Sequence, residues 1–147
     1  MRTTLLLAVA MGLGTSALRG QEPESGFGRI RIAISGLKGN TGDLRISLFN
    51  SRTGFPGKPG LASSKAVISA EGESHTYVFE RIPYGTYAIS VMHDENRNGK
   101  LDTNFLGIPR EGGGALNNPK SRFGPPSFED SMFVLDCPEL SQEIRLR

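Results

Sequence analysis

Between residues 94 and 105 the chain sets oxygen-bearing side chains at alternate positions around a glycine: Asp94, Asn96, Asn98, Gly99 and Asp102. This spacing lets a short loop wrap a hard cation such as Ca²⁺. Side-chain oxygens stand at loop positions one, three, five and nine, a backbone carbonyl at seven, and a glycine at six for the bend. Lys100 holds the seventh position, so its carbonyl would be the ligand while its ammonium, like the Arg97 guanidinium, would face solvent. Only Asp94 and Asp102 bring charge to such a site, which sets the expected affinity at about 10⁻⁴ to 10⁻³ M unless a further carboxylate folds in. Glu95, Asn104, Glu111, Asp130 and His93 are the candidate extra ligands or loop supports. An Asx-rich turn accounts for the same residues without a metal, because Asp and Asn side chains accept hydrogen bonds from amides two residues on and Asn98-Gly99 is a strong turn pair.

The elements around this segment must be strands. Phe105 stands at position twelve, where an EF-hand has its bidentate glutamate, and Gly107 and Pro109 would break any helix leaving the loop. Ile30, Ile32 and Ile34 alternate with Arg29, Arg31 and Ala33, and Leu44, Ile46 and Leu48 alternate with Arg45 and Ser47. Such a period of two puts every second side chain on one sheet face. Further strands are expected over 66–69, 75–81, 84–92, 128–135 and 142–146, bounded by Gly, Pro, Asn and Ser clusters. No stretch keeps a helical period. About seven short strands in a chain of 147 residues predict an all-β fold: one antiparallel β-sandwich, immunoglobulin-like or transthyretin-like, over 27–147. Its connection from 94 to 127 is too long for a simple turn. Phe105, Leu106, Ile108, Leu116 and Phe123 are the apolar anchors expected to order it over one end of the sandwich.

The first twenty residues read as a secretory signal: Arg2 in a short start, an apolar run over 5–13 too short to span a bilayer, then small residues with cleavage near Ala17 to Gly20. Residues 21–26 follow as a short linker. The expected protein is therefore exported, to the periplasm or the medium, with no membrane anchor. Seventeen basic residues stand against fifteen acidic ones, and Arg2, with Arg19 if the cut lies after Gly20, belongs to the leader, so charge gives little support to a nucleic-acid partner. Cys137 stands alone and cannot form an intramolecular disulfide.

From His93 to Lys120 the chain resembles a family of exported bacterial domains of unknown function. The pattern is His93-Asp94-x-Asn96-x-Asn98-Gly99-Lys100, then Gly107-x-Pro109-x-Glu111-Gly112, then Asn117-Asn118, with Gly124-Pro125-Pro126-Ser127-Phe128-Glu129-Asp130 beyond. This resemblance implies no established activity. The segment Pro83-Tyr84-Gly85-Thr86-Tyr87 is also similar to the strand entry of carboxypeptidase-regulatory-like and transthyretin-like sandwiches, which bears on fold alone.

Other chemistry is thinly supplied. His93 beside Asp94, with His75 as a second imidazole, invites a hydrolase reading, but no serine or cysteine sits in a recognisable nucleophile motif. Gly112-Gly113-Gly114 lacks the following Lys-Ser or Lys-Thr of a phosphate cradle and is read as room for close backbone approach or a hinge. Arg110, Lys120 and Arg122 read as scattered surface charge, Cys137 as a small buried group, and Phe55 as either an exposed loop tip or a buried plug. The function expected is non-enzymatic: a binding or assembly module for a protein, glycan or small-molecule partner, its long loop stabilised by a calcium-type cation. The alternative is a small-molecule carrier or sensor with the loop as lid.

Overall fold

A computed structural model describes residues 25–120 and 124–147. The secretory-signal reading, Arg122 and Phe123 lie outside them. Among the described residues eight strands form two packed sheets: β1 (Phe27–Ser35), β2 (Asp43–Phe49), β3 (Ser64–Ser69), β4 (His75–Pro83), β5 (Gly85–Asp94), β6 (Gly113–Ala115), β7 (Met132–Leu135) and β8 (Glu139–Arg145). One sheet has the order β4-β1-β8, with β1 and β8 parallel. The other runs β3-β2-β5, and both β6 and β7 pair with the remaining edge of β5, β6 at residues 90–92 and β7 at residues 85–88.

The period-two pattern becomes the core. Ile30, Ile32, Ile34, Leu44, Ile46, Leu48, Ile89, Val91 and Ile144 are buried between the sheets. The expected β-sandwich is present, antiparallel apart from the β1–β8 pair. One strand expectation needs correction. Residues 128–135 do not form one strand, because Ser127 accepts the Asp130 amide and caps a single helical turn, α1 (Phe128–Ser131), ahead of β7. Of the triple glycine, Gly113 and Gly114 enter β6, and the expected close backbone approach is found at Gly114. A Cβ at Gly114 would stand 3.0 Å from the Arg145 carbonyl oxygen, so β6 fits between β5 and the end of β8 only without side-chain bulk.

The outer face of the larger sheet is also covered, and by different means at its two ends. Near the start of β5, residues 50–63 fold back over Phe49 and Ser90. Phe55 packs edge-on between Phe49 and Phe128, with ring centroids 5.3 and 5.9 Å away, and the Ser90 hydroxyl donates to the Pro56 carbonyl. Phe55 is therefore the plug. At the other end of β5 the cover is the segment that follows Asp94. Cys137, expected buried, is half-exposed, with its thiol directed to the Glu139 carbonyl.

Replacing Phe55 with alanine is expected to lower stability by about 1–3 kcal/mol, less than a fully enclosed phenylalanine because one side of the ring meets solvent. Urea unfolding measures it, and an unchanged midpoint would return Phe55 to the status of a free loop tip.

Candidate functional site

Along β5 side chains alternate between the core and the outer face, and its last two residues part accordingly. His93 turns inward and Asp94 outward, both with 0% exposure. The His93 Nε2 donates to the Thr41 carbonyl at 2.7 Å, while its Nδ1 is buried with no hydrogen-bond partner. The two side chains therefore do not form a base–acid couple. His75, buried at the start of β4, lies in the other sheet.

Asp94 accepts three hydrogen bonds. Its Oδ2 accepts from Arg45 Nε at 2.6 Å and from the Gly99 amide at 2.8 Å, and its Oδ1 accepts from the Asn98 amide at 3.0 Å. Arg45 reaches it because Asp43 pairs with Asp94 and Arg45 with Met92, so Arg45 lies two residues along the same outer face. Burial raises the Asp94 pKa, but the Arg45 bond, the two amide bonds and the Arg45 charge outweigh it and the net shift is downward. The chain must come close to do this. Gly42 sits at φ +83°, and a Cβ there would collide with the Asp94 carbonyl oxygen and the Glu95 backbone.

The remaining motif residues gather about Asp102. Asn96 Nδ2 donates to Asp102 Oδ2 at 2.6 Å and Asn98 Nδ2 to Asp102 Oδ1 at 2.9 Å. The Asn96 oxygen accepts the Asn98 amide and the Asn98 oxygen accepts the Lys100 amide, so both Asx turns form. Arg97 does not face free solvent as expected but bends back to Asp43 at 3.1 Å.

Glu111 closes the root. Its carboxylate is 6% exposed and accepts the Glu95 amide through Oε1 and the Asp102 amide through Oε2, each at 2.9 Å. Beyond this staple the chain makes a small hairpin: Arg110 N donates to the Asp102 carbonyl, Thr103 bridges Pro109, and Asn104 N donates to the Ile108 carbonyl. Asn104 Oδ1 accepts the Leu106 and Ile108 amides, which makes it a support of the turn. The expected anchors divide here. Leu116 is buried, whereas Phe105, Leu106 and Ile108 are 94%, 68% and 55% exposed at the hairpin tip.

Two further sequence expectations fail on position. Asp130 belongs to α1, where its carboxylate accepts from the Ser127 hydroxyl. The adjoining Met132 pairs with Ala88, six residues up β5 from Asp94, which is about 20 Å at strand rise. Glu95 offers its backbone amide to the root while its side chain is exposed. Among the described residues no three His, Cys, Asp or Glu side chains cluster closely enough to hold a metal. A cation at the root would thus draw on two carboxylates and on carboxamide oxygens.

Residues 32–143 match the model of a family described as an uncharacterised protein conserved in bacteria, DUF2141. The chain belongs to this family. No curated protein and no solved structure matches it. The DUF2141 model spans the core strands, the Asp94 network and the hairpin together, so the loop is part of the domain that the family defines. An open groove of about 540 Å³ lies elsewhere, lined by Arg31, Ala33, Leu116, Asn117, Ser141, Gln142 and Glu143. The 94–111 loop contributes nothing to it, so this groove gives the lid reading no support. No helix among the described residues is long and apolar enough to cross a membrane.

Because the Asp94 pKa is depressed in the folded state, the stability it contributes is complete above the unfolded carboxylate pKa of about 4 and is lost as pH falls through the lower native value. Asp94→Asn is expected to cost about 1–3 kcal/mol at pH 7 and progressively less toward pH 2, read from urea unfolding of both proteins. Glu111→Ala should speed hydrogen exchange at the Glu95 and Asp102 amides about tenfold or more, with the core amides of β1 unchanged.

Proposed function

We propose that this DUF2141 domain is a non-enzymatic binding or assembly module in which a calcium-type cation tightens the root of the 94–111 loop, and that the loop presents the contact surface. One observation carries the reading. Asn96 and Asn98 both converge on the Asp102 carboxylate, beside a buried Asp94 whose Oδ1 accepts only the Asn98 amide among the described residues. Rotating either carboxamide about its last bond gives up its Asx-turn bond to the Asn98 or Lys100 amide and exchanges NH₂ for oxygen, turning a donor set that suits Asp102 into an acceptor set that suits a hard cation. Lys100 would add its backbone carbonyl. The ion's role is structural, because it offsets the chain entropy lost on ordering the loop.

Export to the periplasm or medium accords with the leader-like first twenty residues and with millimolar affinity of an extracellular kind. The partner is a protein, glycan, small molecule or other surface met by the hairpin; seventeen basic residues against fifteen acidic ones do not favour nucleic acid.

Calcium at 10 mM is expected to raise the melting temperature by about 4–10 °C, the equivalent of about 1.4–2.7 kcal/mol for a dissociation constant of about 10⁻⁴ to 10⁻³ M. Asp102→Ala should abolish the rise while leaving the Asp94–Arg45 pair intact. A wild-type protein with no calcium response, or a variant that responds equally, rejects the cation.

A further inference from the structure

Asn98 is the only asparagine of the chain that is followed by glycine, and both residues lie in the exposed bend of the loop. Such a pair is chemically labile, because glycine has no side chain to screen its nitrogen. Once the Gly99 nitrogen gives up its proton it can attack Cγ of Asn98. A Cγ–N bond forms, the Cγ–Nδ2 bond breaks, and the carboxamide nitrogen leaves as ammonia. Water then opens the resulting succinimide ring: breaking the new bond leaves aspartate, and breaking the original peptide bond leaves isoaspartate, with the main chain rerouted through Cβ and Cγ.

The folded loop prepares one half of this reaction and withholds the other. Asn98 Oδ1 accepts the Lys100 amide at 2.8 Å, which draws electrons from Cγ as an oxyanion donor does. The nucleophile is tied down. The Gly99 N–H donates at 2.8 Å to Oδ2 of the buried Asp94, so a fixed negative charge faces the nitrogen that must itself become negative. A succinimide nitrogen carries no proton, so ring closure necessarily gives up this bond. Departure of Nδ2 gives up a second, the 2.9 Å bond to Asp102 Oδ1. Both are bonds to carboxylates, the kind whose loss costs most.

From these contacts we infer that Asn98 is a site of spontaneous deamidation which Asp94 and Asp102 hold back while the loop is closed, so that the loop carries an irreversible timer that advances when it opens. Local opening releases the Gly99 amide from Asp94 and lets the chemistry run at the rate of an unfolded chain. The product cannot restore the closed loop. Aspartate at this position sets a carboxylate oxygen against Asp102 where Nδ2 had donated, and isoaspartate lengthens the main chain by one carbon inside a turn whose bonds to Asp94 come from two successive amides. The inference does not need the cation at the root.

The test is incubation in EDTA at mildly alkaline pH, followed by digestion and mass spectrometry of the peptide containing Asn98. Each rate is referred to that of the same chain in urea, which removes any effect of a substitution on the chemistry itself. Wild-type protein is expected to convert at least about tenfold more slowly folded than in urea. Asp94→Asn, which takes the carboxylate from the Gly99 amide, and Glu111→Ala, which opens the root but keeps Asp94 and Asp102, should each raise the folded rate about fivefold or more. If Asp94→Asn does not fold, Glu111→Ala carries the test. Asn98→Asp should lower the melting temperature in EDTA. Equal rates folded and in urea, no acceleration in a folded variant, or an unchanged melting temperature of Asn98→Asp overturns the inference. All are read without calcium, so their failure leaves the calcium-dependent melting, and the reading it tests, untouched.

Discussion

A buried carboxylate with three strong donors is the constraint from which the functional end of this molecule follows. Asp94 leaves solvent only because Arg45 and the amides of Asn98 and Gly99 replace its water. Those amides belong to residues four and five positions further on, so satisfying the carboxylate obliges the chain to turn back over the sheet face as it leaves β5. The folded-back segment then hides Asp94 and brings Asn96 and Asn98 to Asp102. Burial and loop geometry are thus one event, and neither exists without the other.

Above this first closure stands a second, and it works across the loop's full width. Glu111 takes amides from both Glu95 and Asp102, joining the entry of the loop, its middle and its exit in one carboxylate. The segment between Asp102 and Glu111 is thereby reduced to a short hairpin with its own cross-bonds. The arrangement separates two jobs: acidic and amide groups fix the backbone, which leaves the apolar side chains of the tip free of any packing duty.

Much of the sandwich could be read from residue order, because Ile30-Ile32-Ile34 and Leu44-Ile46-Leu48 can satisfy a buried face only as strands. The turn chemistry of Asn96, Asn98 and Gly99 was equally visible. Arg45 as the partner of Asp94 was not, since it depends on the β2–β5 register, which no local pattern records. The same blindness covers β6: Gly113 and Gly114 carry no face to alternate, yet Gly114 is the residue that a narrow slot beside β8 admits. Phe105, Leu106 and Ile108 misled for a different reason. Apolar character signals a preference for leaving water but not where the exit lies, and a loop tied by its backbone can hold such groups outward. Glu111 looked like one acid among several; its role comes from two amides nine and sixteen residues upstream.

The parallel seam between β1 and β8 has a bearing on how the molecule comes to exist. β1 lies in the middle of its sheet, yet one of its two neighbours is the last strand along the chain, more than a hundred residues away. Until residues 139–145 arrive, the isoleucines of β1 have an open flank, and the smaller sheet is a lone hairpin of β1 and β4 that is marginal by itself. Ring closure over so great a contour is slow, whereas two of the four pairings in the larger sheet, β2–β3 and β5–β6, join strands consecutive along the chain. β8 is therefore a latch: the smaller sheet is sealed on that flank only where residues 139–145 dock along β1.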